Sequence, residues 1–290
     1  MTVEDSLGRQ VSLSKVPDRI VTTIPNTTEI ILNLELTDKV VGVTALTSYL
    51  SYAPEIRDIA EEKEKVGKYN VSTEKISSLQ PDLVVVDGLA QRNLLQQLEN
   101  LGIPVYAANP KDIADIEEVV LELGYLTGKL ETARQIISDM ELKRLKLKQA
   151  VSELESRKST LYIISSAIYT TGGNTFQGQL LELAGLENIF SDISGFKKVS
   201  DETIIKRNPE LIISGPHGTV GLTMEKIRSR PGFRTIEAVK TESIIFLTKK
   251  QNSMISQPGT RVVDGAIKLF ELAYDRTVKN SAHRSGHINR

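Results

Sequence analysis

One short pattern occurs twice in this chain at the same internal spacing, and it limits the fold more than any other feature. Ser72-Thr73-Glu74-Lys75-Ile76, followed by Pro81-Asp82-Leu83-Val84-Val85, is matched by Ser200-Asp201-Glu202-Thr203-Ile204, followed by Pro209-Glu210-Leu211-Ile212-Ile213. Each copy reads as an N-cap serine, a short helix, a proline that stops it, and a buried strand of branched residues. Repetition of this kind predicts one α/β lobe duplicated, with the copies facing each other across a cleft.

The rest of the chain fits that expectation. Short apolar runs at Arg19 to Ile24, Val40 to Val43, Leu83 to Asp87 and Val105 to Ala107 alternate with helical stretches near Thr28 to Leu34 and Asn93 to Leu101. A second set, Leu161 to Ser165, Leu211 to Ser214 and Ile244 to Leu247, interleaves with helices at Gln179 to Ala184 and Val262 to Tyr274. Alternation of strands and helices predicts mainly parallel sheets flanked by helices. Between the sets, Asp112 to Arg157 carries no strand signal and is broken only at Gly128. Leu130, Ala133, Ile137, Met140, Leu147, Val151 and Leu154 step by three and four, with Arg144 in the one remaining slot. That pattern predicts one amphipathic helix of about 28 residues, near 40 Å long. A coiled coil uses the same period, but a position between two α/β sets favours a rigid connector. The expected organisation is an N-terminal lobe over 1–127, a linking helix over 128–158, a C-terminal lobe over 159–276, and a tail over 277–290. The tail is polar and is expected to be disordered or an added appendage.

Composition excludes several classes. Lys+Arg 36 against Asp+Glu 37 leaves a net charge of −1, without the basic surface that a nucleic-acid binder needs. No run approaches the roughly 18 apolar residues of a bilayer span. The absence of cysteine removes disulfides, thiolate metal sites, iron–sulfur clusters and cysteine nucleophiles. Met1-Thr2-Val3-Glu4-Asp5 is no signal peptide, so these residues are silent on export.

Along most of its length, from about Asp5 to Tyr274, the chain resembles the substrate-binding proteins of iron-siderophore, haem and cobalamin ABC importers, whose two lobes are joined by one long helix. The matching pieces include Asp5-Ser6-Leu7-Gly8-Arg9, Pro17-Asp18-Arg19-Ile20-Val21, Asn26-Thr27-Thr28-Glu29, Leu79-Gln80-Pro81-Asp82-Leu83-Val84, Leu180 to Phe190, and Pro258-Gly259-Thr260-Arg261. The order and spacing of these pieces carry the likeness. The resemblance implies a monomeric periplasmic or extracellular receptor, lipid-anchored in some precursors, whose lobes move only slightly. It also implies that Glu74 and Glu202 dock on arginines of a dimeric permease. A carboxylate in a first helical turn is favoured by the helix dipole alone, so the docking role rests on the pairing and the resemblance.

Ligands of open α/β sheets lie at the carboxyl ends of the strands, which singles out Asn26, Thr27, Asp87, Tyr169, Asn174 and His217. Tyr49 and Tyr52 follow Val43 and offer flat faces with one hydroxyl each, suited to the organic shell of a chelate. Each is otherwise a packed tyrosine. Arg261 matches a family arginine near the cleft, able to pair with ligand charge or to form a structural salt bridge. The run Thr170 to Gly178 follows a strand and precedes a helix as phosphate loops do, but lacks their Lys-Ser/Thr ending and their glycine spacing. His217 is the single histidine before the tail, so bare zinc or manganese sites built from several histidines are not available. A ferric siderophore leads the expected ligands; cobalamin and haem follow, with molybdate as a minor alternative. No enzymatic cofactor is expected, and no metal ligand is assigned directly. A two-lobed transferase is the alternative of another class, with Asp87 and His217 as its acid/base pair, although no G-x-S-x-G, H-E-x-x-H or cysteine supports an enzyme.

Overall fold

The computed structural model describes residues 1–165, 167–215 and 222–278. Its N-terminal part comprises β1 (Thr2–Glu4), β2 (Gln10–Ser12), β3 (Ile20–Thr22), α1 (Pro25–Asn33), β4 (Val40–Val43), α2 (Pro54–Glu62), β5 (Glu64–Lys65), α3 (Thr73–Ser78), β6 (Leu83–Asp87), α4 (Arg92–Asn100) and β7 (Val105–Ala108). Two helices follow, α5 (Ile113–Leu126) and α6 (Leu130–Ser152). The C-terminal part holds β8 (Ser159–Ile163), β9 (Tyr169–Thr171), α7 (Phe176–Leu183), β10 (Glu187–Asn188), β11 (Phe196–Lys198), α8 (Asp201–Arg207), β12 (Leu211–Ser214), α9 (Met224–Arg228), α10 (Glu237–Lys240), β13 (Ile244–Phe246), α11 (Lys249–Ser256) and α12 (Val262–Tyr274).

The fold is α/β with two lobes. A parallel sheet in the order β5-β4-β3-β6-β7 forms the first, and a parallel sheet in the order β10-β8-β12-β13 the second. β6 and β12, the strands of the repeated pattern, lie inside their sheets and are almost wholly buried, as continuous apolar strands should be. An antiparallel pair, β9 against β11, is added to the second lobe, with α7 and β10 between the two strands in the chain.

α5 and α6 form an antiparallel helical pair. Gly128, at φ 72, turns the chain between them, and Gly124 lets Ala133 approach so closely that a β-carbon there would lie 2.5 Å away. The linking helix is shorter than expected. It stops at Ser152, because the chain must turn back into β8, where the Tyr274 hydroxyl accepts from Lys158 N at 3.1 Å. Its seam is partly realised: Ala133, Met140 and Leu147 are buried, while Leu142 and Leu145 lie off the seam and are exposed. One hydrophobic cluster runs through both lobes, joining Ile20, Leu83 and Val85 of the first sheet, Met140 and Leu147 of α6, and Tyr162, Leu211 and Ile213 of the second. Each lobe also keeps a core of its own on the far face of its sheet, around Val84 and Val86 in one and Ile163 and Ile212 in the other.

Candidate functional site

The carboxyl ends of the strands converge on a cavity of about 710 Å³ that draws on both lobes. The first lobe contributes Ser48 and Tyr49, from the loop after β4, and Lys68 and Tyr69, from the loop after β5. Across from them stand Ile164 after β8, Gln177 on α7, Phe196 on β11, and the face of α11 bearing Lys249, Asn252, Ser253 and Ser256. The volume is that of a small-molecule pocket, about 300–1,000 Å³. Its aromatic rings stay open to the cavity, Tyr49 at 39%, Tyr69 at 71% and Phe196 at 54% exposure. Such rings lose little entropy on binding and bury large apolar area.

Among the described residues, the polar groups of the cavity are lysines, amides and hydroxyls, and no carboxylate lines it. Lys68 Nζ lies 5.4 Å from the centre of the Tyr69 ring. Gln177 Oε1 and Asn252 Oδ1 are buried without a hydrogen-bond partner. Burial, and then the neighbouring Tyr69, push the Tyr49 phenol above its usual range, so it acts as a neutral hydrogen-bonding group.

Of the residues picked from the sequence, Tyr49 lines this cavity. Tyr169 is exposed on β9, opposite Lys198 of β11 and outside the cavity lining. Asp87 is engaged in its own turn, accepting from Leu89 N at 2.9 Å and Ala90 N at 2.7 Å. Asn174 is likewise engaged within its loop, donating to Ser194 Oγ and accepting from Gly195 N, both at 2.8 Å. His217 lies outside the described residues, as do Ser166 and Pro216. Glycines in the run Thr170 to Gly178 serve close backbone packing: a β-carbon on Gly172 would meet Ile193 O at 2.1 Å, and one on Gly178 would meet Gly172 O at 2.1 Å.

The other four lie elsewhere. Asn26 and Thr27 are buried in α1, Tyr52 is 3% exposed, and Arg261 sits against the first lobe, so none of these reaches the cavity. Thr27 donates to the Ile24 carbonyl at 3.2 Å, while Tyr52 and Arg261 gather around Glu29, which is fully buried. Its Oε1 accepts from Thr260 Oγ1 at 2.5 Å and Arg261 N at 3.2 Å, and its Oε2 accepts from the Tyr52 hydroxyl. Asn33 donates to Thr260 Oγ1 at 2.7 Å, Asn26 to the Pro258 carbonyl at 3.4 Å, and the Arg261 guanidinium to Glu55 of α2. Desolvation pushes the Glu29 carboxyl up, opposed by the Thr260 and Tyr52 hydrogen bonds and by the Arg261 charge. Polar residues at strand ends look alike in sequence whether they meet a ligand or another lobe. The cavity residues missed from the sequence sit after a two-residue strand, at Lys68 and Tyr69, and on α11. The second had a signal: Thr248 and Gln251 form a capping box directly after the β13 run.

Glu74 and Glu202 are both exposed, each in the first turn of a helix capped by serine. Ser72 accepts from Lys75 N at 3.1 Å and Ser200 from Thr203 N at 3.3 Å, so the repeated pattern builds the same cap twice. The Glu202 carboxyl is held below its usual range by its own backbone N–H and by Ser200.

A family model described as periplasmic binding protein matches residues 20–251. The chain belongs to this family. It is 31% identical over 287 residues, 96% of this chain and 87% of the relative, to an ABC transporter substrate-binding lipoprotein of Bacillus subtilis (strain 168), YvrC, itself called uncharacterised. It is 28% identical over 210 residues, 70% of this chain and 72% of the relative, to a vitamin B12-binding protein of Yersinia pestis (strain Pestoides F). A solved structure from Staphylococcus epidermidis, described as a possible iron-binding periplasmic solute-binding protein, superposes with a TM-score of 0.79 at 28% identity, covering 90% of this chain and all of that one. All three are described as binding proteins, the first as that of an ABC transporter, and the two-lobed transferase reading finds no support among them. Among the described residues no helix is long and apolar enough to cross a membrane.

Proposed function

We propose that the protein is the extracytoplasmic receptor of an ABC importer and that its cleft takes a flat, amide-bearing metal chelate, a cobalamin-type corrinoid. The observation that carries this reading is the composition of the cavity. Aromatic rings from both lobes flank it, the amide side chains of Gln177 and Asn252 and the lysines Lys68 and Lys249 line it, and no carboxylate is among its described lining residues. A corrinoid supplies the complement: a broad macrocycle for the rings, carboxamides for the side-chain amides, and a phosphodiester for a lysine. The vitamin B12-binding relative supports the same class. The lipoprotein relative supports a lipid-anchored precursor.

A ferric siderophore, first among the ligands expected from the sequence, is here the second reading. The two lysines favour it, since many such chelates carry net negative charge and no carboxylate among the described wall residues would repel them. Delivery would use Glu74 and Glu202, exposed at equivalent places in the two lobes, as the contacts to a permease dimer.

Thermal unfolding and calorimetry against cyanocobalamin, ferric hydroxamates, ferric catecholates, ferric citrate, haemin and molybdate test the assignment. At a hundredfold excess over Kd a true ligand adds about 2.7 kcal/mol. A selective shift with cyanocobalamin supports the corrinoid; a shift confined to an iron chelate, haemin or molybdate replaces it with that class.

A further inference from the structure

The clasp around Glu29 has a place in the fold that its chemistry alone does not explain. Pro258 to Arg261 is the link between α11, one wall of the cleft, and α12, which packs on α6 and α7. α1 and Tyr52 belong to the other lobe, and Tyr52 lies just beyond the turn that carries Tyr49, the opposite wall. A single buried carboxylate therefore receives hydrogen bonds from both sides of the cleft. Gly259 makes the approach possible: a β-carbon there would lie 2.6 Å from Glu29 Oε2, so the link rests flat against the carboxylate. Further contacts run the same way, from Asn33 to Thr260 and from Arg261 to Glu55.

We propose that Glu29 is the positioning residue of the cleft: by binding Tyr52, Thr260 and Arg261 at once, it sets the separation of the Tyr49 wall from the α11 wall and so governs ligand affinity without touching the ligand. The effect on affinity rests on reading the cleft as the ligand site; the effect on the link between α11 and α12 does not. A carboxylate suits the task because it accepts in several directions, whereas an apolar side chain of the same size fills the space and leaves three donors unpaired.

The experiment compares Glu29→Leu with Glu29→Gln. Leucine nearly keeps the volume and removes the acceptors. Glutamine keeps Oε1 for Thr260 and Arg261 while its amide donates to the Tyr52 oxygen. Hydrogen exchange of the ligand-free protein is read at residues 249–261, and affinity is read with cyanocobalamin or whichever chelate of the panel shifts the wild-type midpoint. The expected result for Glu29→Leu is exchange over 249–261 faster by about tenfold or more, with β3 and β8 still protected, and affinity weaker by a similar factor. Glu29→Gln should recover most of both. Wild-type exchange over 249–261 in Glu29→Leu would overturn the proposal, as would acceleration spread evenly over β3, β6, β8 and β12, the mark of a residue that only holds the core. Faster exchange with unchanged affinity would also overturn it. If the leucine variant fails to fold, Thr260→Val removes one donor to the same carboxylate and carries the same comparison. If wild type binds no chelate of the panel, the corrinoid reading fails, while the exchange data still decide whether Glu29 holds the two walls together.

Discussion

Gly259→Ala is the smallest change that tests the packing beneath the cleft. The added β-carbon would stand 2.6 Å from Glu29 Oε2 and 3.1 Å from its carboxyl carbon. An exposed glutamate would swing aside, but this one is fully buried and held by Tyr52, Thr260 and Arg261. Overpacking of this kind costs about 1–3 kcal/mol. Stretching a charge-assisted hydrogen bond adds about 1 kcal/mol, and the stiffer unfolded chain returns about 0.4–1 kcal/mol. Gly259 does not have a positive φ, so no backbone strain enters. The net expectation is a loss of about 2 kcal/mol. With an unfolding entropy of about 2.1 cal/mol/K per residue over 290 residues, that lowers the midpoint by about 3 °C. Differential scanning calorimetry reads the shift, and a double-mutant cycle with Glu29→Ala identifies its origin. Once the carboxylate is gone the alanine has room, so the second substitution should cost at least about 1 kcal/mol less than it does in wild type. Additivity within about 0.5 kcal/mol would refute the clash.

Three other outcomes are expected. Burial, with Glu118, Asp5 and Glu4 nearby, pushes the Glu122 carboxyl up to about 7 against the opposing Tyr106 hydrogen bond, while an unfolded glutamate titrates near 4.5. The folded protein therefore binds the extra proton between these values and loses stability as pH rises through 7, so Glu122→Gln should stabilise at pH 8 by about 1 kcal/mol after solvent screening, with the gain fading toward pH 4.5 in urea titrations. Gly178→Ala would drive a β-carbon to 2.1 Å from the Gly172 carbonyl, which being backbone cannot rotate away; a cost of about 3 kcal/mol and weaker chelate binding through the displaced Gln177 are expected from melting curves and calorimetry. Glu74→Lys with Glu202→Lys should abolish uptake in a reconstituted transport assay and leave chelate affinity unchanged, with about 0.3–1 kcal/mol lost per site from the reversed helix-dipole interaction.

The strands were legible because buried parallel strands must be apolar along their whole length: Val40–Val43, Leu83–Asp87 and Leu211–Ser214 have the bounds that their residues predict. α12 was equally plain, with its apolar face repeated over Val262–Tyr274. The site was legible in part. The rule that ligands meet the carboxyl ends of strands leads to Tyr49, but it also selects Asn26, which bonds Pro258 of the other lobe, and Thr27 and Tyr52, which bond within their own, while Arg261, picked from the resemblance, bonds Glu29 and Glu55 across the lobes. Thr260 bonds Glu29 across 231 positions, and no local pattern announces such a pair. Lys68 and Tyr69 follow a strand of two residues, too short to leave a periodic signal.

The clasp also bears on how the lobes move. The family resemblance attributes their stiffness to one connecting helix, yet a lone helix leaves rotation about its ends free. Here α6 is tied to α12 by Lys143 and Asp264 at 2.8 Å, α12 follows directly from Thr260 and Arg261, and these bond Glu29 of the first lobe. The apolar cluster that contains Val85, Met140 and Ile213 fills the space between. Opening the lobes would expose part of that cluster at about 25 cal/mol per Å² of apolar surface and would strip a buried carboxylate of its donors. An interface that is apolar and continuous with both cores does not hinge as a flexible linker does. The parts left free to adjust to a ligand are those that the clasp does not hold: Tyr69 and Phe196, exposed on opposite sides of the cavity.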